Sequence, residues 1–150
     1  MKKQFLVWLV VFFALSLNAC HAPNKPQQLE SSGVSTVATM DAGAITEAYE
    51  AHRNLPQVQG SGFVVKVLKD DTNGLQHQKF LLKISDKITI LIAHNIDLAP
   101  RVDNIHEGDI VGFKGEYIYT PKGGTVHWTH KDPRGKHQAG WLEHNGKKYE

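Results

Sequence analysis

The segment HEGDIVGFKGEYIYT, residues 106–120, begins as a turn and continues as a strand. Gly108 sits between Glu107 and Asp109, where a turn needs the freedom that only glycine has. From Ile110 the chain is rich in β-branched and aromatic residues and reads as extended. Downstream, Pro121-Lys122-Gly123-Gly124 is a second turn, and TVHWTH (residues 125–130) is a further short strand. The last ten residues, WLEHNGKKYE, have the form of a two-residue hairpin around Asn145-Gly146.

Upstream the period is also two. QGSGFVVKVLK (59–69) is a first strand, with Gly60 and Gly62 marking a bulge or tight bend. Asp70-Asp71-Thr72-Asn73-Gly74 is a turn cluster. HQKFLLKIS (77–85) puts Gln78, Phe80, Leu82 and Ile84 on one face, and Ile88, Ile90, Ile92 and His94 share a face of a third strand. NIDLAPRVDNIH (95–106) is a connector broken by Pro100. Five principal strands with a connector between the third and fourth predict a mainly β chain. Its expected form is a small five-stranded OB-like Greek-key barrel with a short N-terminal helix and a C-terminal hairpin. His106 to Gly115 resembles the fourth strand of many OB domains, where an xGDxVxFxG pattern recurs. A different small barrel or a sandwich is the alternative.

The helix is expected over residues 41–55, where Ile45, Ala48, Tyr49 and His52 fall at i, i+3, i+4 and i+7. His52 reads as a half-buried packing residue on that stripe. Residues 56–150 then suffice for one domain with a modest core.

The N-terminus carries a different message. Lys2 and Lys3 precede an apolar run from Phe5 to Leu15, the pattern of a secretory signal over residues 1–19. The run is shorter than the roughly 20 residues a membrane-spanning helix needs. Leu17-Asn18-Ala19-Cys20 resembles a bacterial lipobox, which implies acylation of Cys20, the single cysteine. His21 stands where an aspartate would retain a lipoprotein in the inner membrane, so the resemblance implies outer-membrane sorting. The expected location is the cell envelope, lipid-anchored and facing the periplasm. Residues 20–40, rich in Pro, Gln, Ser and Thr, read as a flexible tether. Removing residues 1–19 takes two lysines and no acid. Fifteen Lys and Arg then face 15 Asp and Glu, and the formal net charge falls from +2 to zero. That balance does not favour nucleic acid as the partner.

Chemistry is concentrated in HWTHKDPRGKHQAGW, residues 127–141, which holds three of the nine histidines, an aspartate, an arginine and two tryptophans. His127, His130 and His137 are residue types that hold Zn²⁺ or another divalent metal. On an unbroken strand His127 and His130 would point to opposite faces, so convergence requires the strand to end near Trp128. Lys131 to Gly135 reads as a turn. The bland alternative has Trp128 filling the barrel, His130 capping that face, His127 outside, and Asp132 making an Asx turn. His94 and Asn95 close the third strand, where the barrel opens, and are expected to face the same site. The candidate ligand-binding set is His94, Asn95, His127, Trp128, His130, Asp132, Arg134, His137 and Trp141, with His127, His130 and His137 as the metal subset.

Three motifs in order, DDTNGLQHQKF (70–80), AHNIDLAPR (93–101) and the 127–141 stretch, resemble an uncharacterised family of short secreted bacterial proteins. Its hallmark is an HWTHxDPxGxH tail. The resemblance implies that these residues act as a set and carries no reaction. Two function classes stay open. One is a binding domain whose His-rich polar site takes a metal ion, an oligonucleotide or an envelope saccharide. The other is a divalent-metal-dependent hydrolase of the phosphodiesterase kind, with Asp70, Asp71 and Asp132 beside the imidazoles, or a metal-free acid–base enzyme. A purely structural envelope role is a third.

Overall fold

The computed structural model describes residues 42–150; the segments expected as signal peptide (1–19) and tether (20–40), Cys20 included, lie outside them. Helix α1 (Ala42–Glu50) buries Ile45 and Ala48 and ends earlier than the stripe predicts. Two backbone bonds close it, His52 N to Tyr49 O and Arg53 N to Ala48 O, with His52 in the left-handed conformation at φ 52°. This is a Schellman C-cap with histidine in the position glycine usually takes. His52 therefore lies beyond the helix, exposed, with its ring stacked on Tyr119 at 4.6 Å.

Seven strands follow: β1 (Leu55–Val67), β2 (His77–Lys83), β3 (Thr89–Asn95), β4 (Ile110–Ile118), β5 (Thr125–His127), β6 (Trp141–His144) and β7 (Lys147–Tyr149). Their order is β1-β2-β3-β5-β4-β6-β7, and β1 also pairs with β4. The first five thus close into a barrel, with β3 and β5 parallel and the other neighbours antiparallel. This is the expected OB-like barrel. β6 and β7 extend the sheet beyond β4 as the predicted hairpin. β1 starts ahead of the predicted strand, at Leu55, and takes in Pro56. A register shift between Leu55 and Val58 accommodates it, since proline cannot donate to the ladder.

Inward residues alternate as predicted on β2 and β3: Phe80, Leu82, Ile90 and Ile92 are fully buried, joined by Phe113, Tyr117, Val126 and Leu142 from the closing strands. Gln78 and His94, directly paired across β2 and β3, are the polar members of this interior. Each grips the connector 96–109. The Gln78 amide donates to Val102 O at 3.0 Å and accepts from Val102 N at 2.8 Å. His94 Nε2 meets Pro100 O at 3.0 Å. Among the described residues, no helix is long and apolar enough to cross a membrane.

Candidate functional site

β5 stops at His127 because Trp128 takes φ 55°, a conformation that a bulky L-residue rarely adopts. Two glycines make the departure possible. A Cβ on Gly115 would lie 2.3 Å from His127 O, and one on Gly140 would lie 2.0 Å from Trp128 O. The chain leaves the sheet across these two positions and returns after an excursion tied at its neck by Gly140 N to His130 O, 3.0 Å. Such a compact loop with adjacent ends is an Ω-type loop.

Asp132 organises the loop from inside. Its carboxylate accepts from the amides of Arg134 (2.9 Å), Lys136 (2.7 Å) and His137 (2.9 Å). The Arg134 amide, followed by the other two, holds its pKa below the usual carboxylate range. Asp132 is thus a turn-former, as the bland reading had it. Two contacts brace the loop from outside: Gln57 Nε2 donates to Ala139 O at 3.2 Å, and Lys131 pairs with Glu150 at 2.7 Å.

Four candidate residues belong to this internal framework and are not presented to a ligand. His94 is fully buried; Nε2–H donates to Pro100 O, so neutral Nδ1 accepts from the Thr129 hydroxyl at 2.8 Å. Burial is the main cause that pushes its pKa down to about 4. Both nitrogens are committed within the protein, and the ring, expected at the mouth of the barrel beside the 127–141 stretch, ties the connector to Thr129 of that stretch. Asn95 is buried and accepts the Asp97 amide at 2.9 Å. His130 is buried and its Nδ1–H donates to Lys131 O at 2.8 Å. Asp132 is the fourth.

The other five candidates are His127, Trp128, Arg134, His137 and Trp141. His137 is exposed and stacks on Trp128 with centroids 3.7 Å apart and planes 12° off parallel. His130 and His127 lie at 5.3 and 6.2 Å from the same indole. The three imidazoles therefore do converge, but around a tryptophan. Among the described residues, no three His, Cys, Asp or Glu side chains are placed to hold one metal ion. The three histidines of the expected metal subset, His127, His130 and His137, are each placed by their distance to the Trp128 indole. Trp128 does not fill the barrel either; it is partly buried on the loop. Arg134 is exposed on the loop tip, and Trp141 stands on β6 with the Lys148 ammonium 4.6 Å over its ring.

Glu116 was not singled out from the sequence. It pairs with His127 across β4 and β5, Oε2 to Nε2 at 3.5 Å. Burial lowers the His127 pKa, and the Glu116 charge opposes that shift. Nothing local in the sequence ties positions 116 and 127; the register does. The histidine at 144 is likewise spoken for: its Nε2 lies 2.9 Å from Asp109, whose carboxylate also accepts the His106 amide at 2.8 Å.

A barrel of this topology, with a His-rich Ω-type loop beside an outer sheet face, defines a small OB-like domain. The chain belongs to the family described as protein of unknown function DUF3465, which matches residues 28–150. No curated protein matches the chain.

Proposed function

We propose that this chain is a lipid-anchored binding domain of the bacterial cell envelope. In this reading the Trp128–His137 stack is the platform for a ring-bearing polar ligand, of the envelope-saccharide class. The observation that carries it is Trp128 at φ 55°. Backbone strain of this sort is retained where surrounding structure over-determines it, and it clusters at ligand sites. Here it holds a large apolar ring at the surface instead of in the core, beside the polar pair His127 and Glu116. An aromatic face flanked by hydrogen-bonding groups suits a sugar ring, whose two sides are apolar and whose edges are polar. OB barrels are known to take oligosaccharides.

The nucleic-acid reading finds less support. OB domains that bind single strands stack bases on aromatic side chains of the sheet. The outer faces of β2 and β3 here carry His77, Lys79, Leu81, Lys83, Thr89, Leu91 and Ala93, with no Phe, Tyr or Trp among them.

Titrating the protein with soluble cell-wall oligosaccharides should change tryptophan fluorescence. Trp128→Gly, which also relieves the left-handed strain, should weaken binding at least tenfold, the scale of one stacking contact, about 1–3 kcal/mol. Equal affinity in that variant would refute the platform. The His127–Glu116 pair favours a second reading, acid–base catalysis. Turnover of a bound saccharide that Glu116→Gln abolishes would establish it over simple binding.

The envelope assignment rests on the leader and Cys20. Cys20→Ser should end incorporation of radiolabelled palmitate and release the domain from membranes. Unchanged labelling in that variant would refute the lipoprotein reading.

A further inference from the structure

A second surface feature is lined by none of the residues of the Trp128 platform. The outer face of the barrel holds an apolar groove of about 440 Å³ whose walls include Leu68, Leu81, Leu91, Pro121 and Thr125, with Lys122 at its rim. The volume falls within the roughly 300–1,000 Å³ of small-molecule sites. Register explains the floor: Leu81 pairs with Leu91 and Leu91 with Thr125, so three outward side chains form one row across β2, β3 and β5. Lys66 extends that row on β1, directly opposite Leu81.

The walls are preformed. The turn after β4 is bonded to the sheet by Leu91 N to Gly124 O at 2.9 Å, and folded on itself by Gly124 N to Thr120 Oγ1 at 3.1 Å. Helix α1 braces the same turn from outside, with Tyr49 OH donating to Pro121 O at 3.1 Å.

What could lie in this groove is narrowed by three observations. The leucines offer no aromatic plane, which argues against bases and sugars. β2, β3 and β5 are each paired on both sides, so a peptide would find no open strand edge to extend. No carboxylate lines the groove, and Lys66 and Lys122 have no carboxylate partner among the described residues. An alkyl chain needs no hydrogen bonds, and an anionic head would match the two lysines.

We propose that this groove binds a free anionic amphiphile of the fatty-acid type, its chain on Leu68, Leu81 and Leu91 and its head between Lys66 and Lys122. None of these residues belongs to the Trp128 platform, so either reading can fail while the other stands.

The test uses the full chain with decanoate, dodecanoate and tetradecanoate below their micelle concentrations, followed by calorimetry and amide NMR shifts. Affinity should rise about three- to fourfold per added methylene, with shifts centred on Leu81, Leu91 and Gly124. Leu91→Glu should weaken binding more than tenfold. Because that change falls mid-sheet, the loop and rim variant Lys66→Glu/Lys122→Glu provides an independent check. It should lose affinity for dodecanoate while leaving the melting temperature in place. Four results would overturn the proposal: no binding, no dependence on chain length, equal affinity in the rim variant, or shifts confined to other residues. Sedimentation with anionic vesicles that depends on the two lysines, without binding of the free fatty acid, would also overturn it, in favour of a membrane surface.

Discussion

Gly140→Ala is expected to abolish the folded state or to cost on the order of 4 kcal/mol or more, an effect in the range reserved for overpacked or broken cores. The added Cβ would sit 2.0 Å from Trp128 O, 2.4 Å from Lys114 O and 2.9 Å from Thr129 Cα. All three are backbone atoms, so no side chain can swing aside. Moving either neighbour would break the neck bond from Gly140 N to His130 O or separate β4 from β6. Gly135 in the same loop is the control. It has φ 63° with nothing within 4 Å of an added Cβ, so alanine there meets only conformational strain, about 1 kcal/mol. Urea unfolding of the two variants separates the mechanisms. A Gly140→Ala protein as stable as wild type would show that the crossing of β5 and the loop is not as tight as drawn.

Acidification should destabilise the domain through His94. Its folded-state pKa is about 4, against 6.5 in the unfolded chain. Between those values the unfolded chain binds more protons, so stability rises with pH in that interval and is lost as pH falls from 6.5 toward 4. The ring is fully buried, and the shift corresponds to on the order of 3 kcal/mol across the window. His127 shifts in the same direction for the same main reason, but it is half-exposed and contributes less. Asp109 and Asp132, whose pKa values are lowered from 3.8, supply stability that disappears only at lower pH still. His94→Gln keeps an acceptor for Thr129 and a donor for Pro100 while removing the titration. Its unfolding free energy should fall much less steeply than that of the wild type from pH 6.5 to 4, with the smaller His127 contribution remaining; a slope equal to that of the wild type would exclude His94 as the cause.

The barrel was legible because strand alternation is a local property. Phe80 and Leu82, then Ile90 and Ile92, repeat with period two, and a strand with one buried face admits one register. Gly108, with φ 94°, occupies the turn that the 106–120 segment implied. Leu81 and Leu91, apolar residues on the opposite parity, were not singled out from the sequence. Their meaning depended on knowing that β2 and β3 lie side by side with β5 beyond them.

The 127–141 stretch shows what sequence alone determined and what waited for tertiary structure. Composition established that imidazole, indole and carboxylate would be close together, and the turn at Asp132 followed from Asp-Pro-Arg-Gly. Which imidazoles face outward did not follow, because that depends on a single dihedral at Trp128. An αL residue turns the next side chains through an angle no period predicts. Here it sends Thr129 and His130 inward and leaves His137 to return over the indole. The partners of the buried polar groups were equally unreadable. Thr129 is 35 residues from His94 and Glu116 lies a strand away from His127, and only closure of the barrel brings such pairs within hydrogen-bonding or ion-pairing range.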